Sequence, residues 1–243
     1  MKSRFFTFMM LAFLVVSFSA CKKEESEARY LAYATVTDGS NNVLISDGDA
    51  QRLYVAENTT ELADWTNGKR VIVDYTIIRE NESASLVKSY YVRLNSVYSI
   101  LTKNPVRKSF LSSTVREDSI GHDPINIRDY WFANDYLNVD FSIFRNNPNT
   151  KHFINLVLDD SQSTADDVYL ELRHNAYFDL QSIGSWGNVS FKVSDLVVSP
   201  KTSVKLHLSR LTYDGVVKTD TMTYTKTPIV FAPAVKFTRS LIQ

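Results

Sequence analysis

Tyr136-Leu137-Asn138-Val139-Asp140-Phe141-Ser142-Ile143-Phe144 decides the fold class. Leu137, Val139, Phe141 and Ile143 take every second place, with Asn138, Asp140 and Ser142 between them. A period of two sends the two sets to opposite faces of a strand, one toward a core and one outward. The same rule recurs at His152 to Leu158, Val168 to Arg173, Val189 to Val193 and Val204 to Leu211. Weaker strand signals occupy Val216 to Tyr224 and Ile229 to Phe231. The intervening turns are short and polar, as in Asn146-Asn147-Pro148-Asn149 and Asp159-Asp160-Ser161. Residues 125–243 are therefore expected to form a β-sandwich of roughly seven strands.

Upstream, Arg70 to Arg79 obeys the same period, with Val71, Val73, Tyr75 and Ile77 sharing a face. Before it come Arg29 to Val36, Val43 to Ser46 and Gln51 to Ala56, separated by turns at Asp38-Gly39-Ser40-Asn41-Asn42 and Asp47-Gly48-Asp49. Thr59 or Thr60 is expected to cap a short helix through Trp65, closed by Asn67-Gly68. Leu86 to Leu101 supplies one or two more strands, ending in Ile100-Leu101-Thr102-Lys103. Five short strands and one small helix over residues 29–104 fit a Greek-key barrel such as an OB-fold. Asn104-Pro105 and the polar stretch Ser109 to Asp123 read as a linker, placing a junction at residues 105–124. The expected class is all-β with two domains.

The N-terminus reads as an export signal over residues 1–20. Lys2 and Arg4 precede an apolar run from Phe5 to Phe18, interrupted only by Thr7 and Ser17. A spanning helix needs ~20 apolar residues, so this run is too short to cross and stay. Phe18-Ser19-Ala20-Cys21 follows, with the only cysteine of the chain, and resembles the lipobox of bacterial lipoproteins. The resemblance implies lipid on the Cys21 thiol and cleavage before it. One acyl chain gives marginal attachment, so a diacylglyceryl thioether with an added N-acyl group is a firm membrane anchor. Residues 21–28 are then a tether. Lys23, Glu24 and Glu25 resemble the surface-export signal of Bacteroides-type lipoproteins, which implies an outer-membrane location facing outward, the periplasmic face being the alternative.

Composition narrows the function classes. The chain has 27 basic and 27 acidic residues, and losing Lys2 and Arg4 with the signal leaves a slight acidic excess. That is not the footprint of a nucleic-acid binder. Tyr and Phe number 13 and 14 against 7 glycines, which favours pleated sheet. None of the four histidines forms a pair with zinc-ligand spacing, so no metal or cofactor is expected. Gly184-Ser185-Trp186-Gly187 is not a nucleophile elbow and reads as a turn with a packed Trp. Asp159-Asp160 and Asp166-Asp167 flank a Ser/Thr loop and read as a solvated hairpin tip. His174, beside Asn175 at a strand end, is either a ligand contact or a hydrogen bond closing a turn. Adjacent rings at Tyr130-Trp131-Phe132 fall on opposite strand faces, so Tyr130 and Trp131 are candidates for stacking on a ligand or for burial between domains.

The chain resembles the NigD-like lipoproteins of Bacteroides-type bacteria. The matching stretches are Gly68 to Tyr75, Ile100 to Lys103, Asp135 to Val139, His152 to Val157 and Leu170 to Asn175. The resemblance implies an N-terminal OB-like domain and a C-terminal β-sandwich. It transfers no catalytic or binding residues. Together these observations lead to the expectation of a non-enzymatic binding module of the cell envelope. It would attach to the membrane through Cys21 and engage a protein or glycan partner, not nucleic acid. The alternative is an immunity or accessory lipoprotein of a bacteriocin cluster, the role proposed where the family was named.

Overall fold

The structure is a computed structural model that describes residues 27–58, 65–82, 87–198 and 200–226. The export signal, Cys21, Lys23, Glu24 and Glu25, the helix expected ahead of Trp65 and the strand expected at Ile229 to Phe231 lie outside the described residues.

Five strands close the N-terminal barrel: β1 (Arg29–Asp38), β2 (Val43–Ser46), β3 (Arg52–Glu57), β4 (Arg70–Glu80) and β5 (Ser89–Ser99). Their order around the barrel is β1-β2-β3-β5-β4, with β3 and β5 parallel and the other pairs antiparallel. This is the expected OB-like topology. Register shifts at Val36/Asp38, Val55/Glu57, Asp74/Tyr75 and Ile77/Arg79 bend the strands enough to close so small a barrel. Ala34, Val36, Leu44, Leu53, Val71, Val73, Val92 and Leu94 fill its interior.

The second domain is a sandwich of two sheets. Its strands are β6 (Leu101–Lys103), β7 (Val106–Arg107), β8 (Asn126–Ala133), β9 (Tyr136–Arg145), β10 (Phe153–Leu158), β11 (Asp167–Asn175), β12 (Ile183–Lys192), β13 (Ser203–Leu211) and β14 (Val217–Thr225). One sheet runs β14-β13-β11-β10-β7 and the other β6-β12-β9-β8. The apolar set of β9 faces inward as its alternation required, meeting Leu156, Leu170, Leu172, Val189, Phe191, Leu206 and Leu208. Each such side chain contributes ~1.5–3 kcal/mol by leaving water.

The stretch expected to be a linker is folded into the sandwich. Val106–Arg107 pairs with β10 in one sheet, and Leu101–Lys103, expected as a strand end of the barrel domain, pairs instead with β12 in the other, so the chain stitches both sheets before either is complete. A single short helix, α1 (Thr114–Ile120), follows, capped by the Ser113 side chain accepting from the Arg116 N–H. Gly121 ends it with φ at +74°, where a Cβ would lie 2.7 Å from the His174 carbonyl oxygen. Only glycine accepts both that conformation and that approach. Leu111 and Ile120 pack on Val157, and Glu117 pairs with the buried Arg173 guanidinium. One buried apolar residue in seven gives such a helix no periodic signature, which is why the segment reads as polar linker.

Candidate binding site

The outward set of β9 organises the site. Across the sheet, Asn138 stands opposite Ser190, Asp140 opposite Asn188, Ser142 opposite Trp186 and Phe144 opposite Gly184. On the other side β8 places Trp131 opposite Asn138, Asp129 opposite Asp140 and Asn126 opposite Ser142. These residues form one continuous polar ladder. The barrel covers one half of it and leaves the other half open.

On the covered half, Arg70 at the start of β4 is 0% exposed. Its guanidinium donates to both Asp47 oxygens at 2.6 and 2.5 Å, to Thr35 Oγ1 at 2.8 Å and to Asn138 Oδ1 at 3.2 Å. Ser190 Oγ donates to the same Asn138 oxygen at 2.7 Å. Trp131 Nε1 donates to Asp47 Oδ2 at 2.9 Å, and its ring meets Tyr33 edge-on at 4.9 Å. Tyr136 closes the seam by donating its hydroxyl proton to the Gly68 carbonyl at 2.6 Å. A buried ion pair holds only when its remaining donors and acceptors are satisfied, and here two domains share that task. Trp131 is thus a strut between barrel and sandwich. Tyr130, half-buried on the opposite face, packs against the sandwich core.

The open half is a groove of about 770 Å³. Trp186 rises from it 71% exposed, with the Arg128 guanidinium 5.9 Å from its ring centre. Asp140 Oδ1 lies 3.6 Å from Arg128 Nη1, close enough for an ion pair but without a hydrogen bond. Asn188 Oδ1 likewise has no hydrogen-bond partner, and both oxygens are buried from solvent. Tyr33 of the barrel forms the wall, its phenol pushed up chiefly by burial and further by the Asp140 and Asp47 charges, so it stays a neutral hydroxyl. The Gly184 to Gly187 segment is not the expected turn with a packed Trp. It lies within β12, and its tryptophan points outward. Gly187 sits on the core side, where a Cβ would approach the Phe141 ring to 2.9 Å. With Ser185 and Gly187 at the core-side positions, the strand signal vanishes from the sequence.

His174 lies at the other end of the sandwich and is 1% exposed. Its Nδ1 is 2.9 Å from the Pro124 carbonyl oxygen, and its Nε2 is 2.8 Å from His152 Nδ1. His152 turns inward and stacks on His174, with its Nε2 3.1 Å from Asp179 Oδ2. Burial lowers the His174 pKa, partly opposed by the Pro124 carbonyl. Burial also works against the Asp179 charge, but the Asn146 and Asn147 backbone N–H groups and the His152 ring prevail and hold its pKa down at about 2. This cluster fixes the Ala176 to Asp179 turn, in which Tyr177 and Phe178 have φ of +48° and +62°, costly for side chains so large. His152 and His174 are 22 residues apart in the chain, and only the β10–β11 register brings them together. The acidic pairs are engaged as well: Asp159 with Lys108, Asp160 with Ser109, Asp166 with Lys201 and Asp167 with His207. Among the described residues no three His, Cys, Asp or Glu side chains are grouped to hold a metal ion.

The NigD-like C-terminal beta sandwich domain is matched over residues 108–224. The chain thus carries a NigD-like C-terminal beta sandwich domain. Among solved structures, the NigD-like chain is 29% identical to a Parabacteroides distasonis ATCC 8503 protein provisionally named toxin-related, with a TM-score of 0.65 over 82% of this chain and 94% of that one. A Bacteroides vulgatus ATCC 8482 protein of unknown function is 25% identical, with a TM-score of 0.61 over 83% and 93%. A NigD-like immunity protein from Bacteroides caccae ATCC 43185 shares the fold at 19% identity, with a TM-score of 0.58 over 82% and 97%. No protein with a curated description matches the chain.

Proposed function

We propose that this NigD-like chain is a non-enzymatic binding module of the cell envelope, anchored by lipid on Cys21 and displayed outward through Lys23, Glu24 and Glu25. Its ligand site is the Trp186 groove. The observation that carries this reading is the division of the polar ladder. One half is engaged between the domains, while the other presents a large exposed ring beside the partly exposed Arg128 and Asp140 side chains. Ligand sites have this make-up, an apolar surface with a few fixed polar groups. Support for the anchor comes from the Cys21 motif and its basic, apolar leader.

Metabolic labelling with an alkyne fatty acid, combined with protease shaving of intact cells, tests the anchor. The wild type is expected to be labelled and digested. Cys21→Ser should lose the label, and the Lys23, Glu24 and Glu25 triple-alanine variant should be labelled but protected. A labelled Cys21→Ser protein would overturn the anchor. Turnover of glycans, peptides or esters by the purified chain would overturn the non-enzymatic reading. A role in bacteriocin immunity is the second reading, drawn from the Bacteroides caccae and Parabacteroides distasonis relatives. A toxin gene and exporter beside this one would favour it.

A further inference from the structure

We infer that the Trp186 groove binds a carbohydrate, with one pyranose ring stacked on the Trp186 indole and its hydroxyls read by Asp140, Asn188 and Arg128. The inference rests on the groove being the ligand site and adds the ligand's chemical class. Three features point to a sugar.

The exposed apolar surface of the groove is aromatic, made of the Trp186 ring with Phe144, 39% exposed, also lining it. Gly184 is the same-face neighbour before Trp186 on β12, so no side chain of its own strand crowds the indole from that side. An aromatic face of that kind matches the C–H face of a pyranose, whereas a protein partner would bring several apolar anchors needing a wider apolar patch.

The polar groups lining the groove are unlike one another. Asp140 and Asn188 occupy paired register positions one step from Ser142 and Trp186, and the Asp140 side chain is 25% exposed to the groove. Arg128 supplies N–H donors from the adjacent strand, and Tyr33 a neutral hydroxyl from the barrel. A sugar hydroxyl both donates and accepts, so a ring of hydroxyls satisfies carboxylate, amide and guanidinium together. A phosphate or other anion would meet Asp140, and an isolated cation would meet Arg128.

The groove is open and long enough for a chain. Its volume of about 770 Å³ exceeds what one sugar ring fills, and its walls come from both domains. An oligosaccharide entering along the sheet would stack at Trp186 and reach Tyr33 without any movement of the seam.

Calorimetric titration of the full mature chain with linear hexasaccharides of glucose, mannose, xylose and N-acetylglucosamine tests this. At least one is expected to bind. Trp186→Ala should weaken that binding about tenfold or more, as loss of an interface hot spot does. Trp186→Tyr should restore part of it, and Asp140→Asn and Asn188→Ala should each weaken it less. Phe178→Ala, at the far loop, should leave it unchanged. Thermal unfolding of each variant verifies that the fold is intact. Absence of binding by every hexasaccharide at millimolar concentration overturns the inference, as does binding indifferent to Trp186→Ala. If saccharides fail but a photo-crosslinker placed at position 186 captures a protein in cells, the ligand class is wrong and the binding-module reading stands. If the wild type cleaves a hexasaccharide it binds, the non-enzymatic reading fails while the sugar site stands.

Discussion

Trp131 and Trp186 lie on the same outer face of the same sheet, two ladder positions apart, and have opposite fates. Trp131 is locked to Asp47 and Tyr33 at the seam, while Trp186 stands in solvent. Both strands pair antiparallel with β9, so strand pairing does not separate the two. What separates them is the barrel, which covers Asn138 and Ser190 and reaches Asp140 and Asn188 through Tyr33 but leaves Trp186 uncovered. A polar outer face is therefore not one kind of surface. Where a second domain covers it, each polar group acquires a partner because an unpartnered one would be costly. Where it stays open, groups can be left for a ligand.

The largest expected effect breaks the covered half. Arg70→Met leaves the Asp47 carboxylate at the seam without its cation, and loss of one member of a buried pair typically costs ~3–5 kcal/mol. Urea unfolding should show that loss, with barrel and sandwich signals no longer coincident. An unfolding midpoint unchanged from wild type would mean the seam does not couple the domains.

A second, intermediate effect concerns pH. The pKa of His174 is lowered from its ordinary value of 6.5, so the folded state binds its proton less readily than the unfolded chain. Its contribution is complete above about pH 6.5 and is lost progressively as the pH falls below that value. Asp179, at about 2 instead of 3.8, adds a further loss below about pH 4. The melting temperature should therefore be flat from pH 7 to 8 and decline through pH 6 and 5, with the slope reduced in His174→Gln. Equal slopes in the two proteins would remove His174 from the account.

The smallest effect sharpens the contrast between the tryptophans. Trp131→Phe removes the Nε1–H donor to Asp47 and should cost ~1–3 kcal/mol. Trp186→Ala removes a ring mostly in water and should stay within about 0.5 kcal/mol of wild type. If the two variants lose comparable stability, the open half is packed against something that the described residues do not include.

Much of the fold was legible. Where strands are long and half-buried, as in β4, β9, β10, β11 and β13, the period of two gave both their existence and their inward faces. Where an element is held by others, the pattern failed. β6 and β7 are two or three residues long and exist because parallel partners in β12 and β10 supply their hydrogen bonds. In the Trp186 segment of β12, Ser185 and Gly187 stand where core-side apolar residues would have shown a strand. At the candidate site, Tyr130 and Trp131 were legible as rings needing an environment, and His174 as a turn-closing group. The sequence could not show that His152 would stack on His174, or that Trp186 would be left uncovered.

The sequence by itself determined that this is an all-β chain with an OB-like barrel before a sandwich, because burial enforces alternation residue by residue along each strand. It also carries the basic, apolar N-terminal stretch and Cys21, from which the proposed export and anchoring are read as linear signals. The tertiary structure alone decided which polar residues became a buried seam and which an open groove. That outcome depends on where one domain's surface ends against another's, a boundary set by contacts such as Arg70 with Asn138, 68 residues apart in the chain.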